Sequence, residues 1–375
     1  MMLKSAILLA LASAVAAKRC REIVVPVDIS SSNTVYDVAT PRTEIDTTNF
    51  FLNLARQNSN YSATIAKGHR TIQGSYKLAT TYCEPDSGPG NAIQIMTHGI
   101  GFDRSYWDYG YQNNYYSYIN RAVEHGYSTL TWDRLGIGHS THLDAISEAQ
   151  IFLEVAALGA LTQHVRDGKI CDVNHRFTKL VHVGHSFGSV MTFILTQMDP
   201  GVTDAIVLTG YSQRPDYMAE FVLGGDFVPV SSLPMLGNKY SPGYVAPRTS
   251  VGVQTNFFAP GDFDAQMLKS ATLNGQPAAL GELLTLGAAG MMSGFGGAVQ
   301  IVTGERDVPF CGGDCFNTKS IGASAPNLLE SSRNNFANAR NFSATVVPHA
   351  GHGLNFQYSC GVTYKAMLDF LHDNL

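Results

Sequence analysis

The sequence predicts an α/β protein in which helices cover both faces of a mostly parallel β-sheet. Short apolar runs rich in β-branched residues alternate with longer segments that carry apolar residues at helical spacing, which is typical of parallel sheets. A chain of 375 residues is long enough for one large domain of this class with an insertion. After the N-terminal segment, no stretch is long and apolar enough to span a bilayer, so we expect no membrane span.

The predicted elements follow one another in a strand–helix order. Strands are expected within residues 21–40, at 75–82, 92–97, 127–132, directly before Gly184, and at 205–209, 299–303 and 343–347. Helices are expected at residues 111–125, at 144–167, between Ser186 and Pro200, and at 362–372. Ligand sites in parallel sheets lie at the carboxyl ends of the strands, so the residues that follow these strands are the candidates for chemistry.

The strand pattern stops between residues 211 and 297. This segment is rich in Gly, Pro, Phe, Met and Leu and poor in charge. Because it separates two consecutive strands, we expect it to be a cap or lid over the carboxyl ends of the strands. The core of the domain is then expected to comprise residues 18–210 and 298–375.

Residues 1–17 have the pattern of a signal peptide, with a short basic start, an apolar run and small residues at the cleavage frame. They predict a secreted protein. The cysteines that follow are Cys20, Cys83, Cys171, Cys311, Cys315 and Cys360, an even number that favours disulfides with fifteen alternative connectivities. Cys311–Cys315 is the one pair that we predict, because glycines let so short a loop close. Asn60 and Asn341 begin glycosylation sequons, which matter only in a eukaryotic host.

The most informative motif is a G-x-S-x-G pentapeptide centred on Ser186. An apolar strand precedes it and an apolar helix follows it, which is the context that a nucleophilic serine requires. A serine hydroxyl attacks only when the backbone exposes it and a base takes its proton. Gly184 and Gly188 lack the β-carbons that would collide in so tight a turn, so we expect Ser186 to be a nucleophile.

The base and the acid are expected after the last two strands. Asp307 follows residues 299–303 and is the favoured orienting carboxylate, with Glu305 as its rival. His352 lies between two glycines after residues 343–347 and is the favoured base, with His349 as the alternative. The chain order is then nucleophile, acid and base, which differs from the order in trypsin-like and subtilisin-like proteases.

These motifs resemble those of the α/β-hydrolase superfamily, particularly its secreted fungal members. The resemblance runs from about residue 70 to the end, and it depends on residues 98–102, 133–140 and 184–188, on Asp307 and on residues 351–352. It implies the α/β-hydrolase fold, with a mostly parallel central sheet, helices on both faces and a cap insertion. The motifs are specific for the fold and the catalytic residues, but they do not specify the substrate.

The resemblance also implies an oxyanion hole formed by two backbone N–H groups, those of Phe187 and Ile100. Such donors stabilise the negative oxygen that develops when the serine attacks a carbonyl. His98 is expected to have mainly a structural role in the loop, and Asp133 resembles the acid that shapes the loop after the preceding strand in this superfamily.

We expect a serine hydrolase of the esterase or lipase type that acts on a small-molecule or lipid-like ester. A serine peptidase or amidase of the same fold and a catalytically silent binding protein are the alternatives, because fold does not fix function. Epoxide hydrolases and dehalogenases are disfavoured, since those relatives carry an aspartate where Ser186 stands. The chain lacks a basic stripe, so nucleic acid is not an expected partner. His139 and His142 alone are too few for a metal site, and neither a metal nor an organic cofactor is expected.

Overall fold

The computed structural model of the protein describes residues 18–170, 175–322 and 324–375. The predicted signal peptide at residues 1–17 and Cys171 lie outside these ranges. The strands are β1 (Lys18–Tyr36), β2 (Ala66–Pro85), β3 (Ala92–Thr97), β4 (Ser128–Trp132), β5 (Lys179–His185), β6 (Ala205–Thr209), β7 (Phe227–Pro229), β8 (Tyr244–Pro247), β9 (Ala278–Ala279), β10 (Ala298–Gly304) and β11 (Asn341–Val347).

One eight-stranded sheet organises the core, in the order β1-β2-β4-β3-β5-β6-β10-β11. Every pair of neighbours from β4 across to β11 is parallel, whereas the long β1–β2 hairpin is antiparallel and joins β4 in an antiparallel manner. The predicted α/β class with a mostly parallel sheet is therefore confirmed. All residues of β3, β4, β6 and β10 are buried, because helices cover both faces of the sheet.

The helices connect these strands and pack on both sides of them. They are α1 (Glu44–Leu54), α2 (Tyr61–Ile65), α3 (Tyr118–Glu124), α4 (Ile151–Arg166), α5 (Phe187–Met198), α6 (Met218–Gly224), α7 (Ser250–Phe257), α8 (Ala265–Asn274), α9 (Leu280–Thr285), α10 (Val308–Cys311) and α11 (Cys360–Asn374). Helix α5 contacts β5 and β6, and α11 contacts β10 and β11, so each strand that precedes a candidate site residue packs against a helix.

Residues 211–297 stand outside the large sheet. They contain α6 to α9 and a separate three-stranded antiparallel sheet in the order β7-β8-β9. Backbone hydrogen bonds join this segment to the rest of the chain, from Gly281 N to Ala145 O at 2.7 Å and from Gly353 N to Phe257 O at 2.8 Å. The second of these bonds lies next to His352, so the segment contacts one of the candidate catalytic residues.

Two helices begin later than the sequence predicts. Residues 112–114 adopt positive φ angles of 49° to 62°, which form turns, and α3 therefore begins only at Tyr118. The Asp144 carboxylate accepts hydrogen bonds from the amides of Ile146 and Ser147 at 3.1 and 2.7 Å, and α4 begins only at Ile151. Such local side-chain bonds compete with helix formation, and apolar spacing does not reveal them.

The described residues contain two disulfides. Cys311–Cys315 is the pair that the sequence predicts, and Cys20–Cys83 joins β1 to β2. Cys360 is buried and forms no disulfide within the described part of the chain. Among residues 18–170, 175–322 and 324–375, no helix has both the length and the apolar character needed to cross a membrane.

Candidate active site

Ser186 occupies a sharp turn between β5 and α5. Its backbone has φ 55° and ψ −118°, a conformation that costs a non-glycine residue about 1–3 kcal/mol and persists only where the surroundings enforce it. A β-carbon at Gly184 would lie 2.5 Å from Gly188 O, and one at Gly188 would overlap the carbonyl oxygen of Thr97. The two glycines thus allow the close backbone packing that holds Ser186 at the end of β5. Ser186 is partly exposed, although its neighbours on either side are buried.

Asp307 and His352 form a buried pair. Asp307 follows β10 and caps α10, where its Oδ1 accepts a hydrogen bond from Phe310 N at 2.8 Å. Its other oxygen, Oδ2, lies 2.6 Å from His352 Nδ1, and neither side chain is more than 1% exposed. This contact assigns the Nδ1 proton to His352, so that Nε2 is the basic nitrogen. Within the described residues Nε2 has no hydrogen-bond partner.

The imidazole of His352 lies beside the Ser186 turn. Its ring centroid is 4.9 Å from the ring of His185, the residue that directly precedes the serine. The rings of Phe257 and Phe310 stack on the imidazole, with centroids 5.9 and 5.6 Å away and interplanar angles of 24° and 23°. Asp307 fixes one edge of the ring and the two phenyl groups restrict its plane, which is the restraint that a general base needs.

His185 is an uncharged neighbour of this base. Its ring stacks on Tyr106 at 4.4 Å, and Nδ1 lies 3.2 Å from Thr209 Oγ1. Burial, and next the nearby His352 and His98, hold the pKa of His185 well below its usual range. His185 therefore contacts His352 without adding a second positive charge to the site.

The loop after β3 lies against the nucleophile turn. A β-carbon at Gly99 would be only 2.7 Å from Ser186 Cβ, so the backbone of this loop touches the serine. The amide nitrogens of Ile100 and Phe187 donate no hydrogen bond within the described part of the chain. Neither predicted oxyanion donor is therefore engaged by another acceptor among the described residues.

His98 and Asp133 hold the backbone of the surrounding loops. His98 Nδ1 lies 2.9 Å from Gly99 O, and Nε2 accepts a hydrogen bond from Arg134 N at 3.0 Å. Burial, and next the charge of Arg134, place the pKa of His98 well below its usual range. Asp133 accepts hydrogen bonds from Arg104 N at 3.0 Å and from His139 N at 2.9 Å. These contacts fit the structural roles expected of both residues.

The two alternative site residues pair with each other at the surface. Glu305 accepts a hydrogen bond from His349 N at 2.8 Å, and the His349 side chain is 85% exposed. The structure therefore brings Asp307 and His352 together beside Ser186 and leaves Glu305 and His349 outside this pair. Phe257 was not predicted, because nothing in the local sequence indicates its contact with His352. Phe310 lies only three residues after Asp307, and this short distance in the sequence could have indicated that its ring lies near His352.

A protein-family model described as "Alpha/beta hydrolase family" matches residues 94–361 of the chain. None of the curated proteins matches this chain in sequence. Among solved structures, it is similar to a thermophilic esterase from Thermogutta terrifontis, at 15% identity and a TM-score of 0.54, covering 80% of this chain and 94% of that one. An epoxide hydrolase from Vigna radiata, at 15% identity and a TM-score of 0.52, covers 80% of this chain and 95% of its own length. The match to a bromoperoxidase from Bacillus anthracis, at 16% identity and a TM-score of 0.51, covers 80% of this chain and 96% of that one. At these identities the likeness is one of fold.

Proposed function

Because the chain belongs to the alpha/beta hydrolase family, we propose that it is a serine hydrolase that cleaves carboxylic esters through Ser186, His352 and Asp307. The observation that carries the proposal is the buried Asp307–His352 pair, whose imidazole lies beside the strained turn at Ser186 and has an unpartnered Nε2 within the described residues. A serine at the turn also distinguishes this chain from relatives that attack with an aspartate.

The proposed reaction has two halves. Ser186 Oγ attacks the ester carbonyl carbon while His352 Nε2 takes the hydroxyl proton, and the carbonyl oxygen becomes an oxyanion that accepts hydrogen bonds from Ile100 N and Phe187 N. The tetrahedral intermediate then expels the alcohol, which receives the proton from Nε2, and leaves an acyl-serine. Water repeats the attack with the same base and releases the acid. Asp307 stabilises the imidazolium at each step by accepting the Nδ1–H bond.

Apolar cavities next to the imidazole support an apolar substrate. The oxyanion-side cavity, of about 180 Å³, is lined by Gly101, Phe102 and Phe257 together with residues 233–236. The Phe310-side cavity, of about 140 Å³, is lined by Phe310, Tyr211 and Val190 together with residues 286–287 and 289–291. Both include side chains from residues 211–297, and we propose that this segment is the cap that shapes the substrate site.

The direct test is hydrolysis of p-nitrophenyl esters of several chain lengths by the protein and by Ser186→Ala. We expect the variant to lose essentially all turnover and to escape labelling by a fluorophosphonate probe. Ser189→Ala is the matched control: its buried hydroxyl donates to Thr209 O at 2.8 Å, and its removal should leave turnover in place. Equal turnover by the protein and Ser186→Ala would contradict the proposal. Faster cleavage of matched anilides than of esters would favour an amidase.

We also propose that the protein is secreted. The disulfides Cys20–Cys83 and Cys311–Cys315 suit an oxidising compartment, and Asn60 and Asn341 of the two sequons are both exposed. Expression of the full chain in a eukaryotic secretory host should place it in the medium, with an N-terminus at Ala17 or Lys18. Retention of residues 1–17 in an intracellular product would contradict this.

A further inference from the structure

We propose that the ester carries a long linear apolar chain, which runs from Ser186 through the Phe310-side cavity into a second, larger groove. This inference rests on the proposed function, because it assigns a chain of the substrate to the space beside the same serine. The second space, called here the hairpin groove, has a volume of about 480 Å³ and lies between the β1–β2 hairpin, α2 and the 211–297 segment.

The Phe310-side cavity adjoins the proposed catalytic residues through the side chains that line it. Phe310 stacks on the His352 imidazole at 5.6 Å, so one wall of the cavity is in contact with the base. Val190 lies one helical turn after Ser186, and its amide donates to Ser186 O at 3.1 Å. Tyr211 follows directly after Gly210, at which a β-carbon would lie 3.0 Å from His352 Cε1. The cavity therefore has one wall on the imidazole of His352 and another on the first turn of the helix that follows Ser186.

The Phe310-side cavity and the hairpin groove share part of their walls. Met218, Leu286 and Gly287 line both of them. Met218 and Leu286 are half-buried and Gly287 is exposed, so two apolar side chains separate the two spaces. Beyond them the groove is lined largely by apolar side chains, among them Val222, Leu283 and Leu284. The proposed path crosses this shared apolar wall, from the Phe310-side cavity, which Ser212, Gln213 and Arg214 also line, into the hairpin groove.

The volumes set the length of chain that each space can take. An apolar protein cavity of about 150 Å³ accepts benzene, so the cavity volume needed is about 25 Å³ for each carbon atom of the ligand. The Phe310-side cavity, of about 140 Å³, then has room for about six carbons. The hairpin groove has roughly three times the volume of such a benzene site. A chain of twelve to sixteen carbons therefore needs both spaces, whereas a butanoyl chain fits within the cavity.

The experiment narrows the passage between the two spaces. Met218→Trp and Leu286→Trp place a large ring at the shared wall, and kcat/KM is measured on p-nitrophenyl esters from four to sixteen carbons. Each buried methylene contributes about fourfold to kcat/KM, so excluding even a few from the groove should lower the sixteen-carbon value at least tenfold. The four-carbon value should fall less, because a butanoyl chain does not reach the groove, so the ratio of the sixteen-carbon to the four-carbon value is the readout. Val362→Trp, at an exposed position of α11 that lines neither space, is the matched control and should leave the ratio of the two values unchanged. Leu233→Trp tests the oxyanion-side cavity as the alternative path.

A second series of substrates shows whether the acyl part or the alcohol part of the ester carries the long chain. Alkyl butanoates vary the alcohol while the acyl group stays short, so a selective loss in this series places the long chain on the alcohol side. If Met218→Trp also loses the four-carbon activity, Met218→Phe serves as the smaller block. A chain-length profile that does not change in any of these variants, or one that changes only in Leu233→Trp, would overturn the proposal.

A binding measurement separates this inference from the proposed function. Ser186→Ala should bind hexadecanoate in a calorimeter, and Met218→Trp added to it should weaken that binding at least tenfold. If the wild-type protein hydrolyses short esters but Ser186→Ala binds no hexadecanoate, the serine hydrolase stands and the long-chain path fails. If Met218→Trp weakens the binding of hexadecanoate but the wild-type protein cleaves no ester, the proposed function fails and the path stands.

Discussion

Replacement of Arg134 by Met should lower the free energy of unfolding by about 3–5 kcal/mol, because it leaves two buried carboxylates without their cation. The Arg134 guanidinium contacts Glu154 at 2.5 Å and also Glu282 of α9, and all three side chains are at most 1% exposed. It also lies 4.6 Å from the centre of the Phe187 ring. The cluster therefore joins α4, the 211–297 segment and the helix that begins at the nucleophile.

The same cluster should be replaceable as a whole. Arg134 Nε, Arg134 Nη2 and Glu154 Oε1 have no hydrogen-bond partner within the described residues, so the cost of burying these charges is not fully offset. Replacing a buried charge cluster by apolar side chains of similar volume is often neutral or stabilising by about 1–4 kcal/mol. The triple variant Arg134→Met, Glu154→Leu and Glu282→Leu should therefore recover the loss caused by Arg134→Met alone.

Urea unfolding at pH 7, with the slope m compared between variants, measures both effects. A loss of less than about 1 kcal/mol in Arg134→Met, or a triple variant as unstable as the single one, would refute this reasoning.

Three further predictions concern the rest of the fold. Gly188→Ala should destabilise the protein and abolish turnover, because its β-carbon meets backbone, whereas Gly361→Ala, in open space on α11, should unfold at the same or a higher urea concentration. Burial lowers the pKa of His182 to about 3, so between about pH 6.5 and pH 3 the unfolded chain binds a proton that the native state does not bind. As the pH is lowered through this range, the free energy of unfolding should therefore decrease by about 1.4 kcal/mol per pH unit more in the protein than in His182→Gln. Replacing Cys20 and Cys83 by serine opens a loop closed over 63 residues, and should lower the unfolding free energy in urea by up to about 4 kcal/mol; an unchanged midpoint would contradict this.

Much of the sheet could be predicted because its strands are buried on both faces. A buried parallel strand must be apolar along its whole length, and such runs are visible in a single sequence. The predicted strand at 92–97 matches β3, and the one at 205–209 matches β6. The starts of α3 and α4 could not be predicted in this way, because they depend on turns and on side-chain bonds to the backbone that apolar spacing does not record.

The candidate site residues could be found because each follows a strand. The carboxyl ends of parallel strands meet at one edge of the sheet, so the ends of β5, β10 and β11 bring Ser186, Asp307 and His352 close together although the first and the last lie 166 positions apart in the sequence. The pairing of Cys20 with Cys83 could not be found, since it depends on the register of the β1–β2 hairpin. In that register the two residues lie directly opposite each other.

The packing around the base depends on contacts between distant parts of the chain, which is why the sequence did not reveal it. Phe257 comes from the 211–297 segment, Phe310 from the turn after Asp307, and His185 from the end of β5, and all three rings lie against His352. Each of them is apolar or held neutral, so the Asp307 carboxylate is the group that compensates a proton on the imidazole. In a site this dry an ion pair is stronger than in water, and the imidazolium formed during attack is favoured only while that carboxylate stays in place. The phenyl rings therefore contribute to the proposed reaction by excluding water as well as by orienting the ring. Since one of them belongs to the 211–297 segment, that segment would affect the orientation of the base as well as the choice of substrate.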